Sequence, residues 1–279
     1  MSEAVDNWRS VAAGWERQRS LFWDSTHTVT ERLVALLEPQ SGEAILELAA
    51  GPGDTGLFAA RSLVPGGRLV STDFAAEMVE AAKRRAAELG MGEELVSFAV
   101  EDMTSLSFDD MSFDGVLCRW GLMLVPDIPA AAGEIARVLR PGGRVALAVW
   151  AGPDENDWMT AAGRSALELG LVERPEPDAP GPFRLSQEGL LEEVLTDGGL
   201  TTEVVEDVTV TWRTPSLAAW WDVMRDTARS LALILERATP EEADAVRAGA
   251  ERRLARYIQP DGSLVVPGRA RVALARRLD

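Results

Sequence analysis

The chain has 279 residues, enough to bury a full core in one domain with an accessory cover, so a second independent domain is not required. With 45 acids against 28 lysines and arginines the net charge is −17, which argues against nucleic acid as a partner, because binding it depends on neutralising phosphates. One cysteine, Cys118, and one histidine, His27, exclude an intrachain disulfide and a metal centre built on cysteine or histidine clusters, so no metal is expected.

In chain order, Trp8, Val11, Ala12 and Trp15 have helical spacing over residues 7–18, and a second helix is predicted from about Val29 to Leu37, ending before Pro39. The intervening SLFWDSTHT, which carries Trp23 and His27, reads as a loop. The start is charged and bears tryptophan rather than an apolar run, and no stretch approaches about 18 apolar residues, so the expectation is a cytoplasmic protein without a membrane partner.

The stretch ILELAAGPGDTG, residues 45–56, reads as a buried parallel strand (Ile45, Leu46, Leu48) with the carboxylate Glu47 near its end. A glycine turn, Gly51-Pro52-Gly53, follows and opens a helix near Asp54. Four more strands are predicted: residues 67–73 ending in Asp73, LVSFAV before Asp102 and Met103, a fourth within residues 112–127, and a fifth after the Pro-Gly-Gly turn of VLRPGGRVALAVW, residues 138–150. FAAEMVEAAKRRAAELG makes a helix after the second strand. Beyond Trp150 come a polar loop, a helix and the turn-rich surface segment 175–183. Ser186 is the expected cap of a helix through Leu195 that Gly198 and Gly199 stop; TEVVEDVTVTW alternates as a strand, and residues 271–278 form the last one. Between these strands, Thr214-Pro215 and Thr239-Pro240 read as caps of two helices, about 216–237 and 241–258, with Glu242 completing a capping box.

Gly51, Gly53 and Gly56 spell GxGxxG, which raises a dinucleotide site. Glu47 argues against a pyrophosphate there and in favour of a cationic ligand. The order Glu47, Ala49, Gly51, Gly53, then Asp73, then Asp102 and Met103, then the VPD and RPGG segments, resembles the class I S-adenosylmethionine-dependent methyltransferases, in particular the small-molecule, quinone-biosynthesis-like subgroup. Ala49 departs from the family's pattern, standing where a glycine is commonest. The resemblance covers residues 45–150 closely. It implies an α/β, Rossmann-like, seven-stranded, mostly parallel sheet with an antiparallel last strand, plus a helical lid. Residues 1–40 would be cap helices, 41–213 and 269–279 the core, and 214–268 the lid.

The resemblance also implies S-adenosylmethionine as cofactor, with Glu47, Ala49, Gly51 and Gly53 around the turn and Asp73 at the ribose. Phe74, Met78, Asp102 and Met103 would lie around the adenine, and Arg119 near the methionine end. Trp23, Trp120, Met123, Trp220, Trp221 and Met224 are the candidates for the acceptor cavity, against the plainer reading that they are core. The helices of 214–268 cover a substrate, pack on the core, or pair two copies into a homodimer. His27 is the candidate general base, its unperturbed pKa being suited to neutral pH. Asp127 and Tyr257 are weaker alternatives, and proximity alone is a further one. The function expected is methyl transfer to a small hydrophobic metabolite, with oxygen favoured over carbon or nitrogen. Two rivals stay open: a cofactor-binding protein that does not methylate, and a nucleotide-dependent oxidoreductase.

Overall fold

The computed structural model describes residues 13–174, 176 and 178–278. Trp8 and the first half of the predicted first helix therefore lie outside the described residues. The chain forms two compact units. A sheet unit comprises His27–Ala151, Pro180–Val208 and Ala270–Asp279, and a helical unit gathers the chain up to Thr26 with Gly152–Ala179 and Thr209–Arg269.

Seven strands form one sheet: β1 (Ala44–Leu48), β2 (Arg68–Asp73), β3 (Val96–Val100), β4 (Phe113–Arg119), β5 (Leu139–Trp150), β6 (Thr201–Thr214) and β7 (Leu264–Arg276). Their order is β3-β2-β1-β4-β5-β7-β6. The first five run parallel and β7 is antiparallel to β5, as the sequence implied. All five residues of β1 are buried, which is how a strand flanked on both sides reads as a continuous apolar run. From β1 the chain proceeds outward to β2 and β3, then returns to the other side as β4. The crevice beyond the carboxyl ends of β1 and β4 is thus the sheet's topological switch point, where α/β sheets take their ligands.

Three helices set the crevice: α1 (Arg19–Leu37), α2 (Asp54–Ala60) and α3 (Ala76–Glu88). α1 is continuous where the sequence suggested a loop at SLFWDSTHT, so His27 is helical. No glycine or proline interrupts it, and the Thr26 hydroxyl donates to the Phe22 carbonyl at 2.6 Å, an i−4 bond that keeps a loop-like residue inside a helix. α4 (Ile128–Val138) leads directly into β5, and the expected Pro-Gly-Gly turn is absorbed into the strand as a shift of register between Phe113 and Gly115 on its partner. α6, numbered after the helical unit's α5 (Asp157–Glu168), spans Leu190–Asp197 and starts later than predicted. The Ser186 hydroxyl is spent on the Phe183 carbonyl at 2.7 Å, and Gly189 takes the cap position.

The helical unit contains α5, α7 (Leu217–Thr227), α8 (Arg229–Arg237) and α9 (Pro240–Leu254). The predicted helix 216–237 breaks at Ala228, whose backbone is extended (φ −98, ψ 92); no glycine or proline marks the place. Ser216, not Thr214, caps α7, accepting from the Ala219 amide at 3.1 Å, while the Thr214 hydroxyl donates to the Ser216 carbonyl at 3.0 Å. At α9 the predicted capping box forms, with Thr239 Oγ1 accepting from the Glu242 amide at 3.2 Å and Glu242 Oε2 from the Thr239 amide at 2.8 Å. Fully buried Asn156 ties the start of α5 to β7: its side-chain oxygen accepts from the Arg269 amide at 3.0 Å and its Nδ2 donates to the Arg269 carbonyl at 3.0 Å. Among the described residues no helix is long and apolar enough to cross a membrane, and no group of acidic, histidine or cysteine side chains is arranged to hold a metal.

Candidate cofactor site of the sheet unit

The turn after β1 brings its backbone to the switch point. Gly51 has φ 55 and nothing within 4 Å of where a Cβ would stand, so a side chain there would fill open space in front of the turn. Asp73, at the end of β2, holds this loop: one carboxylate oxygen accepts from the Gly51 amide and the other from the Ala75 amide, both at 2.9 Å. The carboxylate keeps lone-pair capacity beyond these bonds, so it can still accept a ligand hydroxyl. Asp73 is 7% exposed, and burial raises its pKa against the opposing hydrogen bonds from Ala75, Gly51 and Phe74.

Glu47 points the other way, into the protein. Its Oε1 accepts from the Gly56 amide and its Oε2 from the Ser71 hydroxyl, both at 2.6 Å. A Cβ on Gly56 would come within 2.2 Å of this carboxylate, which gives the third glycine of GxGxxG a purely steric reason. Burial pushes the Glu47 pKa up to about 7, more than the two hydrogen bonds and the nearby Arg119 pull it down. The group therefore shapes the loop from behind.

Arg119, at the end of β4, meets two predicted site residues, Glu47 and Trp120, and one that the sequence did not single out, Thr30. Its guanidinium donates to Thr30 Oγ1 at 3.3 Å, feels the charges of Asp54 and Glu47, and lies 4.8 Å from the centroid of the Trp120 ring. Thr30 and Thr55, both buried, bring their hydroxyls within 3.2 Å, so α1 is tied to the glycine-loop helix α2. His27 lies one turn before Thr30 on α1, a spacing that places both on one helix face. Residue 120 has φ 60, a left-handed backbone unusual for a bulky side chain, and its indole stacks on Trp150 at 4.1 Å and 9°.

At the neighbouring corner Asp102 accepts the Thr104 amide and hydroxyl on one oxygen, at 2.9 and 2.7 Å, leaving the other for a ligand amine. Met78 and Met103 are buried and Phe74 half-buried. Ala49 adopts φ 51, the conformation for which glycine is preferred, and its Cβ closes the space beside Gly121.

Met123 is a core residue, 1% exposed. Asp127 caps α4, accepting from the Ala130 amide at 2.9 Å. Burial pushes the Cys118 thiol up to about 11, so it is inert near neutrality. In the helical unit Trp220, Trp221 and Met224 are buried, and the Trp220 indole donates to the Trp158 carbonyl at 3.1 Å. Trp23 is half-buried on α1, and the Tyr257 hydroxyl donates to Asp157 at 2.8 Å. Thr30, Thr55, Ser71 and Trp150 carry no local sequence signal of a site; only their partners reveal them.

Comparison with known proteins places this arrangement. Residues 45–143 match the methyltransferase domain family. The chain is 40% identical over 119 residues to nocamycin O-methyltransferase from Saccharothrix syringae, covering 43% of this chain and 42% of that protein. It is 40% identical over 124 residues to demethylmenaquinone methyltransferase from Clavibacter sepedonicus, covering 44% and 46%. The chain thus spans less than half the length of these curated relatives. The crystal structure of the YcgJ protein from Bacillus subtilis superposes with a TM-score of 0.60 over 91% of this chain and 99% of that one, at 20% identity, a likeness of fold. Residues 45–143 are thus similar in sequence to a methyltransferase domain.

Proposed function

We propose that the protein transfers a methyl group from S-adenosylmethionine to an oxygen of a small, hydrophobic, quinol- or phenol-like metabolite. The observation that carries this reading is the Gly51 turn, bonded to Asp73 at the switch point with open space before it. The cofactor supplies an activated methyl on a cationic sulfur. Asp73 accepts from the ribose with the lone-pair capacity its amide bonds leave unused, and the second oxygen of Asp102 receives the adenine amine. Phe74, Met78 and Met103 provide apolar contact for the base. Glu47 acts through the loop, holding Gly56 and Ser71 in place behind it. The chain has one histidine, one lysine and one tyrosine, so an acceptor whose hydroxyl ionises readily suits it. His27, on the same face of α1 as Thr30, takes that proton where the hydroxyl arrives neutral. The two relatives support an oxygen acceptor and a quinone-like ring respectively.

The test combines binding with turnover. Calorimetry should show that S-adenosylhomocysteine binds and NADH does not, and that Asp73→Ala weakens the former by on the order of 10 to 100-fold, or about 1.5–3 kcal/mol for a charge-assisted contact. Incubation with S-adenosylmethionine and a panel of phenols and quinols, read by mass spectrometry, should give O-methylated product. NADH binding with no affinity for S-adenosylhomocysteine would point to an oxidoreductase. Cofactor binding without any product would favour a non-catalytic role.

A further inference from the structure

Trp120 combines three features in one residue. Its backbone is left-handed, which a bulky side chain adopts only when its surroundings hold it there. Here the holding groups are visible: its amide donates to the Ala148 carbonyl at 2.8 Å, one ring face stacks on Trp150, and the Arg119 guanidinium lies 4.8 Å from the ring centroid. Its Nε1 is buried and has no hydrogen-bond partner among the described residues. A buried donor left unpaired costs stability unless something else accepts from it. Trp158 also has an unpaired indole N–H, but on a regular helix and stacked on Trp212. Among the described residues, only at Trp120 does the unpaired donor coincide with strained backbone, a cation on the same ring and a place at the carboxyl end of β4.

We propose that Trp120 Nε1 and the Arg119 guanidinium together receive an anionic oxygen of the bound ligand, a carboxylate, with Trp150 as the positioning residue that keeps the indole edge turned to it. The chemistry follows from the pair: the N–H gives direction, and the guanidinium, charged at all working pH values, gives the sign. With Trp150 and Arg119 occupying the ring, the indole offers its edge to a ligand. Trp120 thus acts as a hydrogen-bond donor and does not serve as a stacking platform. The carboxylate has two sources, the amino-acid end of the cofactor or an acidic acceptor. The inference rests on the methyltransferase reading for the first source but not for the second.

Trp120→Phe separates these cases, because it keeps a six-membered ring against Trp150 and Arg119 and removes the pyrrole ring that carries the N–H. If the cofactor supplies the carboxylate, the variant should bind S-adenosylhomocysteine about ten-fold or more weakly, while 5′-methylthioadenosine, which lacks the amino-acid end, binds as in wild type. If the acceptor supplies it, both nucleosides bind normally. In protein labelled with 15N-tryptophan and saturated with S-adenosylhomocysteine, the Trp120 indole resonance, assigned by its loss in the variant, should then move downfield with 2-naphthoate and stay fixed with 2-naphthalenemethanol. Normal S-adenosylhomocysteine affinity in the variant together with an unmoved indole resonance overturns the proposal. Failure of the wild type to bind S-adenosylhomocysteine overturns the cofactor reading instead, and 2-naphthoate then decides the receptor by itself. Trp150→Phe should retain most of the effect and Trp150→Leu should lose it, which a merely structural Trp150 would not reproduce in the indole shift.

Discussion

Each unit of the protein contains a tryptophan cluster, and the two are built differently. In the helical unit Trp158 and Trp212 stack with ring centroids 3.4 Å apart, Phe22 meets both edge-on, and Trp220 spends its N–H on a backbone carbonyl. These rings stand on regular helix or strand. In the sheet unit Trp120 stacks on Trp150 from a left-handed backbone. Among the described residues four non-glycine residues have positive φ, Glu38, Ala49, Met111 and Trp120, and all belong to the sheet unit. Glu38 and Met111 are exposed turn residues, whereas Ala49 and Trp120 end the adjacent strands β1 and β4. Strain that a protein keeps away from exposed turns needs a rigid surround and a use, and the paired ends of two buried parallel strands offer both.

The largest effect should come from the unstrained side of this comparison. Trp220→Ala removes a side chain 1% exposed together with its bond to the Trp158 carbonyl, so urea unfolding should show a loss of about 3–5 kcal/mol. A loss below about 1 kcal/mol would mean that the helical cluster is not a core and that its tryptophans answer to something else.

Sequence reasoning reached the two regions unequally, for physical reasons. Strands β1, β4 and β5 were legible because strands buried on both faces leave apolar runs, and the turn after β1 was legible because glycine is needed where the backbone must stand clear. Asp73 was placed by the end of its strand. The direction of Glu47 was not legible, since a carboxylate near a strand's end serves equally to face a ligand or to brace a loop. Gly56 held the answer, its missing Cβ leaving room for the carboxylate. The helical course of α1 through Ser25, Thr26 and Thr28 was hidden by composition typical of loops, and with it the contribution of Thr30. The left-handed states of Ala49 and Trp120 leave no trace in residue type, because they are imposed from outside.

A second prediction concerns the charge behind the loop. Glu47 titrates at about 7 in the folded protein against 4.5 when unperturbed. Between these values the folded state holds a proton that the unfolded state has released, so stability must fall as pH rises from about 4.5 to 7 and level off above. The shift corresponds to roughly 3 kcal/mol. Glu47→Gln, which stays neutral and can still accept and pack, should remove that slope, so that variant and wild type diverge progressively toward pH 7 in denaturant titrations at several pH values. Parallel curves would mean that Glu47 is ionised throughout, with Arg119 dominating its environment.

The smallest and most discriminating test asks whether the strain at the sheet's edge is local. Ala49 at φ 51 should cost about 1–2 kcal/mol relative to an unstrained residue, while glycine there gives back about 0.5–1 kcal/mol through the entropy of the unfolded chain. Ala49→Gly by itself should therefore stabilise by no more than about 1.5 kcal/mol. Its partner behaves otherwise: a Cβ on Gly121 would stand 2.4 Å from the Ala49 Cβ, 3.0 Å from Cys118 Sγ and 3.1 Å from Met103 Cε. Gly121→Ala should thus destabilise by about 1–3 kcal/mol through overpacking. The double variant removes the closest of the three clashes, so its loss should be smaller than the sum of the single effects, with a coupling of about 0.5 kcal/mol or more. Because Gly121 follows Trp120 directly, the coupled pair also reports on the strained residue next to it. If Gly121→Ala alone weakens S-adenosylhomocysteine binding and Ala49→Gly restores it, the two strand ends act as one unit. Additive energies would show that each end carries its strain separately.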